Sequence, residues 1–335
     1  MTPSDSAAGS ATDPAAETTT DPTTGTAQLR DRARGCLLGQ FIGDSLGSLV
    51  EFEEPEDIAE RYPDGVRDLA DGGTWNLIAG QPTDDSQMAM MLIRSLQRQG
   101  TFDADDVFRG YVHWYSTNPF DIGGTCERAL AGHGLNEDSQ ANGALMRVSP
   151  LGVFGARDDV GIAAAADFAR EEAALTHPNP ICIDANAVFV TGLVTAIHGG
   201  TVKEVVDAME GATSEQAVAQ AIAAGRMGDV GDYRQHDGWV LLALSIAVRQ
   251  LVLYDDPVDA LVDAIGMGGD TDTNAAIAGA LLGAVHGATA WPERWVRGVL
   301  ECEPEKGRPG VANPLRREFW ATDLLEQADE LAGLA

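Results

Sequence analysis

The sequence predicts an all-α protein. Strand signals are scarce, because no sustained run alternates Val, Ile or Thr with polar residues. Apolar residues instead recur at spacings of three and four in many segments, which is typical of amphipathic helices. The chain is 44% hydrophobic but only 6% aromatic and contains 38 glycines, a composition that suits helices packed closely through small side chains. We expect one compact domain over residues 28–335, after a disordered acidic tail, 1–27, that has little to bury.

The charge excludes some functions. The formal net charge is −30, and the only lysines are Lys203 and Lys306. An acidic surface poor in lysine favours a halophilic protein that its charge keeps soluble at high salt. Binding of basic partners is an alternative, but it would favour clustered acidic tracts, and these acids are spread along the chain. Nucleic-acid binding is disfavoured, because no basic face could neutralise phosphates.

The cysteines favour a cytoplasmic protein. None of the four forms a CxxC pair, and they are expected to be buried thiols: Cys36, Cys126, Cys182 and Cys302. Residues 1–27 lack the basic start and apolar core of a signal peptide. We predict no membrane span and a monomer.

The first helix is predicted over residues 28–51. Its glycines repeat every fourth residue and form a smooth stripe that another helix or a ligand can approach closely: Gly35, Gly39, Gly43 and Gly47. Asp44, within this apolar stretch, would be a costly buried charge unless it is paired. Residues 52–82 are interpreted as irregular because of their prolines and glycines.

The next helices are predicted from their starting residues. Thr83-Asp84-Asp85-Ser86 precedes a stripe of Met and Leu, so a helix begins there with adjacent carboxylates. A helix is also predicted over 104–119, and a Gly-Gly turn enters another within 121–130. Such a turn can present backbone N–H groups to phosphate, although alone it is a weak signal.

Helices account for most of the remaining chain. Residues 142–155 begin at a tight turn and enter an apolar run, and further helices are predicted over 161–175, 201–227, after Trp239 and within 291–335. His177 lies in a loop flanked by prolines, and a loop histidine is more often exposed than functional.

The stretch from Gly268 to Gly287 organises the chain. A Gly-Gly turn precedes Asp270 and Asp272, and the segment from Asn274 to His286 is Ala- and Leu-rich, as in a helix buried on most sides. Carboxylates at a helix start interact favourably with its dipole, so an N-cap is one interpretation. Because the two carboxylates repel each other, a hard dication such as Mg²⁺ or Mn²⁺ is the other.

Two similar helix starts, nearly 190 residues apart in the sequence, favour the metal interpretation. Each combines threonine with two aspartates, around Asp84 and around Asp272. If the two starts face each other, four carboxylates and two hydroxyls surround one or two dications.

Several motifs together resemble the ADP-ribosylglycohydrolase family, and within it the dinitrogenase-reductase-activating glycohydrolases. They follow the family's order over about residues 35–290. The motifs are GCLLGQFIGDSLGSLVEF (35–52), GQPTDDSQMAMML (80–92), DIGGTCERAL (121–130), NGALMRVSPL (142–151), THPNPICIDANAVF (176–189), GWVLLALSIAV (238–248) and GGDTDTNAAIAGALLGAVHG (268–287).

The resemblance implies a compact orthogonal multi-helix bundle with two Mg²⁺ (or Mn²⁺) ions. It implies the metal ligands Thr83, Asp84, Asp85, Asp270, Asp272 and Thr273. It implies substrate contacts by Gly123, Gly124, Thr125, Asn142, Gly143, His177 and Trp239. A carboxylate must also transfer a proton, and the residues here leave three candidates open: Glu51, Asp85 and Asp121.

The activity implied is metal-dependent hydrolysis of the C1″ glycosidic bond that joins ADP-ribose to an acceptor, most favourably an arginine side chain of a protein. Two alternatives stay open. One is a non-catalytic protein that binds ADP-ribose or metal, which the presence of all four aspartates at the two helix starts disfavours. The other is a hydrolase of a small ADP-ribosylated metabolite or nucleic-acid end.

Overall fold

A computed structural model describes residues 22–231 and 237–335. Within these ranges the chain forms fifteen α-helices and no strand, which confirms the all-α prediction. The helices are α1 (Pro22–Gly47), α2 (Pro55–Arg61), α3 (Asp84–Gln99), α4 (Ala104–Tyr115), α5 (Gly124–Leu130), α6 (Ser149–Gly155), α7 (Gly161–Ala174), α8 (Pro180–Ile197), α9 (Val202–Ala212), α10 (Gln216–Met227), α11 (Val240–Leu253), α12 (Pro257–Gly266), α13 (Thr271–His286), α14 (Glu293–Leu300) and α15 (Leu324–Leu331).

Several helix boundaries differ from the sequence prediction, and one helix was not predicted. Helix α1 ends at Gly47 instead of residue 51, and α4 ends at Tyr115 instead of residue 119. Helix α1 begins at Pro22, before the boundary expected at residue 28, and the predicted tail over 1–21 lies outside the described residues. Helix α2 lies inside 52–82, the segment predicted to be irregular. That prediction was wrong because Pro55 is the first residue of the helix, where the missing N–H has no intrahelical acceptor to lose.

The glycine stripe on α1 packs directly against α13, as the spacing predicted. A Cβ atom at Gly39 would lie 2.0 Å from the carbonyl oxygen of Gly279, and one at Gly43 would lie 2.1 Å from that of Ala275. No side chain fits in such a gap. The two helices run antiparallel, because Gly35 faces Gly283 and Gly47 faces Asp272. The C-terminal end of α1 therefore lies beside the N-terminal end of α13.

The centre of the molecule is one continuous apolar core. Its residues come from along the chain, from Ala33 to Ala332, and every residue of α13 from Thr271 to Ala284 is buried. The burial predicted for this helix is confirmed, as is the burial of all four free cysteines.

Helix α8 is long and apolar enough to cross a membrane by length and composition. The prediction of no membrane span did not anticipate this. In the structure, 78% of its apolar window is buried against other parts of the protein, as in a core helix.

Candidate active site

The start of helix α3 is capped by a side chain from another helix. Thr83 precedes the helix, but its own side chain makes no capping hydrogen bond. The buried carboxylate of Asp44 on α1 instead accepts from the backbone N–H groups of Thr83, at 3.0 Å, and Ser86, at 3.2 Å. The sequence analysis found no partner for the charge of Asp44. In the structure, backbone N–H groups at the N-terminus of α3, which have no acceptor within the helix, stabilise this charge. This contact holds Asp84 and Asp85 at the end of α1.

The start of helix α13 is held by contacts from two directions. The side-chain amide of Asn142 donates to Asp270 at 2.6 Å. The turn at Gly268 and Gly269 has φ of 77° and 69°, values that glycine adopts without strain. Gly269 accepts a hydrogen bond from the backbone N–H of Phe52 at 2.7 Å. This last contact places Glu51, just after α1, beside the aspartates of α13.

The two threonine–aspartate groups meet at one cavity of about 320 Å³. Asp84 lines it from one side, and Asp270, Asp272 and Thr273 line it from the other. Thr83 and Asp85 are buried but are not among the residues that line it. The predicted convergence is thus observed for four of the six proposed metal ligands, and the metal-binding role of all six stays a prediction.

The carboxylates at this cavity are close enough to hold a cation. One oxygen from each of Glu51, Asp121 and Asp272 lies within 4.8 Å of the others. Asp85 has one buried carboxylate oxygen, Oδ1, without a hydrogen-bond partner among the described residues. Carboxylate oxygens are the ligands that Mg²⁺ and Mn²⁺ prefer, so the residues fit a divalent metal. Glu51 and Asp121, considered for proton transfer, belong to this cluster as well.

Burial and mutual repulsion raise the pKa of four carboxyl groups at the cavity, those of Glu51, Asp84, Asp121 and Asp272. Burial raises the pKa of Glu51 to about 8 and of Asp84 to about 7, and nearby aspartates add to both shifts. Asp121 has a pKa of about 10 for the same two reasons, burial first. Burial also raises the pKa of Asp272 well above its usual range. Without a cation these groups therefore retain protons near neutral pH.

Glu51 is held in place by a tryptophan that the sequence analysis did not select. The indole N–H of Trp75 donates to Glu51 Oε2 at 2.5 Å, and the hydroxyl of Thr74 donates to the Glu51 backbone carbonyl at 2.8 Å. Both donors come from the segment predicted to be irregular. The Trp75 contact stabilises the ionised form of Glu51 and partly offsets the effect of burial.

The residues predicted to contact substrate form the other walls of the cavity. Six of the seven line it, namely Gly123, Gly124, Thr125, Asn142, Gly143 and His177. The backbone N–H of Gly123 hydrogen bonds to Asp84 and lowers its pKa, so in this structure it supports the carboxylate cluster. Thr125 shares a hydrogen bond of 2.8 Å with Ser139.

Trp239 is the predicted substrate residue that does not line the cavity. Its indole N–H donates to Gln140 at 2.9 Å, and its backbone forms an isolated antiparallel bridge with Ala141. These contacts tie the start of α11 to the loop that carries Asn142. Its predicted contact with substrate stays a prediction.

His177 is fully buried, although a histidine in a loop is more often exposed. Its ring lies beside Gly143 in the cavity wall, with Nδ1 2.8 Å from the hydroxyl of Thr176. Burial, and next the charge of Arg147, lower its pKa to about 3, so the ring is neutral.

Sequence reasoning missed several residues at the site. Phe52 and Asp237 line the cavity, and Asp44 supports it from behind. Asp44 carried a signal, because a carboxylate inside an apolar helix needs a partner. Phe52 has a φ of 64°, a conformation that sequence does not reveal for a non-glycine residue.

Comparisons with known proteins agree with these observations. A family model described as ADP-ribosylglycohydrolase matches residues 25–334. The chain is 30% identical to an ADP-ribosyl-[dinitrogen reductase] glycohydrolase of Rhodospirillum rubrum, over 80% of this chain and 90% of the relative. It is 29% identical to the ADP-ribosylarginine hydrolase Tri1 of Pseudomonas putida, over 81% of this chain and 75% of that relative. The solved structure of an ADP-ribosylglycohydrolase-related protein complex matches this chain with a TM-score of 0.74 and 26% identity, and the match covers 92% of this chain and 99% of that one.

Proposed function

Because the chain belongs to the ADP-ribosylglycohydrolase family, we propose that it hydrolyses the C1″ glycosidic bond between ADP-ribose and an arginine side chain. The observation that carries this proposal is the cavity where carboxylates from separate segments meet, with oxygens of Glu51, Asp121 and Asp272 within 4.8 Å of one another. A cluster of this kind is costly to bury unless it binds a cation or a polar ligand.

The proposed metal ligands are the two threonine–aspartate groups, Thr83, Asp84, Asp85, Asp270, Asp272 and Thr273. When bound, Mg²⁺ or Mn²⁺ supplies positive charge that neutralises the carboxylates and orients oxygen ligands such as sugar hydroxyls. Asp44 and Asn142 support this proposal, since they hold Thr83 and Asp270 by the hydrogen bonds described above.

In the reaction, the C1″–N bond breaks and a C1″–O bond to water forms. A proton passes from that water to the leaving guanidine, through a transition state with positive charge on the sugar. Glu51 and Asp121 are the favoured proton carriers, because both line the cavity and Asp85 does not.

Arginine is favoured as acceptor by the charge of the cavity. Besides Glu51 and Asp121, the carboxyl group of Asp237 lines it, and Phe52 adds an aromatic ring. The carboxylate of Asp237, which is not among the proposed metal ligands, attracts a cationic guanidinium, and an aromatic face stabilises it further. One relative is an ADP-ribosylarginine hydrolase, which agrees with this choice.

The direct test offers the purified chain ADP-ribosyl-arginine, ADP-ribosyl-serine and ADP-ribosylated DNA ends, with Mg²⁺ or Mn²⁺ at high salt. Release of free ADP-ribose from the arginine substrate is expected. If only the serine or DNA substrate is turned over, arginine is not the acceptor. If calorimetry shows binding of ADP-ribose but no substrate is turned over, the chain is a non-catalytic binding protein.

The metal role is tested with Asp272→Asn, which should lose metal binding and turnover together. Asp103→Asn is the matched control, because Asp103 caps α4 away from the cavity and Asn caps helices equally well. Undiminished turnover in excess EDTA would refute metal dependence.

A further inference from the structure

A chain of buried polar side chains ends at His177, in the cavity wall. Arg147 is fully buried and donates from Nε to Glu172 Oε1 at 2.6 Å and from Nη2 to Thr176 Oγ1 at 2.8 Å. Tyr111 also donates to Glu172 Oε1, at 2.6 Å, and its ring lies 4.3 Å from the guanidinium. Thr176 Oγ1 lies 2.8 Å from Nδ1 of His177. Glu172 therefore pairs with the buried charge of Arg147 and fixes the position of the guanidinium, which in turn fixes its hydrogen bond to Thr176.

These contacts determine which ring nitrogen of His177 carries the proton. A guanidinium only donates, so Thr176 Oγ1 must accept from Arg147. The single proton of the hydroxyl then needs an acceptor, and Nδ1 of His177 is the one within hydrogen-bond distance among the described residues. Were Nδ1 protonated, the buried hydroxyl proton would have no partner. Nδ1 is therefore the acceptor, and the neutral ring carries its proton on Nε2.

His177 lines the cavity, and its Nε2–H group has no partner among the described residues. It is buried, and no described protein group accepts a hydrogen bond from it. A Cβ atom at Gly143 would lie 3.2 Å from Nε2, so the absence of a side chain at Gly143 avoids crowding this nitrogen. Buried donors are rarely left unpaired in folded proteins. One that lines a cavity indicates an acceptor that arrives with the ligand.

We propose that Arg147 and Thr176 are positioning residues that hold His177 as its Nε2–H tautomer, so that this N–H donates to an oxygen of the bound ligand. The identity of that ligand, ADP-ribose with its phosphate and hydroxyl oxygens, rests on the proposed function. The lowered pKa of His177 agrees with a ring that acts as a neutral donor. His177 orients the ligand, whereas proton transfer in the reaction is assigned to the carboxylates.

The tautomer is measured directly in the full-length protein by long-range ¹H–¹⁵N spectra after selective ¹⁵N labelling of histidine. Six histidines are present, and the spectrum of His177→Gln assigns the signal of interest. The wild-type protein should show His177 with the proton on Nε2. Thr176→Val removes the hydroxyl at similar size and should give a mixture of tautomers, whereas Thr176→Ser should keep the wild-type pattern.

The same variants are compared for hydrolysis of ADP-ribosyl-arginine. Thr176→Val should lower kcat/KM about 10- to 100-fold, the range expected for losing one hydrogen bond to a charged ligand. Thr176→Ser should recover most of it. Equal losses in both variants without a change of tautomer would show a merely structural role and overturn the proposal.

Two results separate this inference from the proposed function. Titration with ADP-ribose should shift the Nε2–H resonance of His177, and an unchanged resonance under saturating ADP-ribose would overturn the donor role. A wild-type spectrum with the proton on Nδ1 would overturn the tautomer assignment whatever the activity. If the spectra and the titration are as expected but no ADP-ribosyl substrate is turned over, the positioning of His177 by Arg147 and Thr176 would be supported and the proposed hydrolase activity would be rejected.

Discussion

Asp44 on α1 accepts hydrogen bonds from both the backbone N–H and the hydroxyl of Thr83 at the start of α3, at 3.0 and 2.9 Å. Because Asp84 and Asp85 directly follow Thr83, a carboxylate that does not line the cavity sets the position of two that are proposed to bind metal. The stability of the fold and the affinity of the metal site should therefore change together when this contact is lost.

Asp44→Ala tests this relationship. The change leaves buried N–H groups of α3 without an acceptor, so we expect it to lower the free energy of unfolding by about 1–3 kcal/mol and to weaken Mn²⁺ binding measured by calorimetry. Asp103→Ala is the control, since it removes a cap of α4. It should cost about 1 kcal/mol and leave Mn²⁺ affinity unchanged. Unchanged Mn²⁺ affinity in a folded Asp44→Ala protein would contradict the coupling.

Gly43→Ala tests the close approach of α1 and α13. The added Cβ would lie 2.1 Å from the carbonyl oxygen of Ala275, so the helices must separate. We expect a loss of about 1–3 kcal/mol or more, as in other overpacked cores, measured by denaturant unfolding. Gly211→Ala on α9 meets no atom within 4 Å and should be neutral or stabilising by up to about 1 kcal/mol. Equal effects of the two changes would refute the packing argument.

Glu51→Gln separates proton transfer from metal binding. Gln still accepts the hydrogen bond from Trp75 but cannot exchange a proton, so kcat should fall about 10²- to 10⁴-fold while Mn²⁺ remains bound. Asp272→Asn should instead lose both. If calorimetry shows that Glu51→Gln also loses Mn²⁺, Glu51 acts as a metal ligand, which its closeness to Asp121 and Asp272 would explain.

The stability of the metal-free protein should fall as pH rises. The folded pKa values of Asp44, Glu51 and Asp121 are about 6, 8 and 10, all raised first by burial. Below an ordinary carboxyl pKa of about 4, these groups are protonated in both the folded and the unfolded chain, and their contribution to the free energy of unfolding is fully present. That contribution is lost as pH rises through the folded-state pKa values, because the folded protein must then hold ionised carboxylates without a cation.

The melting temperature in EDTA should accordingly decrease between about pH 5 and pH 9, the window in which these groups ionise. The same scan with saturating Mn²⁺ is the control. Since the cation neutralises the carboxylates, the difference in melting temperature between the two scans should widen with pH. A difference that narrows towards pH 9 would contradict the assignment of these groups to a cation site.

High salt should stabilise the protein. The net charge of −30 produces repulsion over the surface, and salt shortens its range from about 10 Å at 0.1 M to about 3 Å at 1 M. We expect the melting temperature to rise between these concentrations of KCl. A constant or falling melting temperature would reject the halophilic interpretation.

Local sequence was sufficient for most helices and for the two threonine–aspartate segments that are proposed to bind metal. Helix α7 occupies 161–174 and α11 begins directly after Trp239, as their periodicity predicted. Helix α2 was missed because proline occurs both in irregular segments and at the first position of a helix, and local sequence did not distinguish the two at Pro55.

By itself, the sequence determined the all-α class, the glycine stripe of α1 and the threonine–aspartate starts of α3 and α13, because each depends on spacing within a few turns of helix. Only the tertiary structure decided the partners of Asp44 and Asn142, the approach of Glu51 and Asp121 to Asp272, and the burial of His177. Those contacts join distant segments, and packing of the whole core sets their distances. Local spacing therefore predicts which side chains are available, and the fold decides which of them meet.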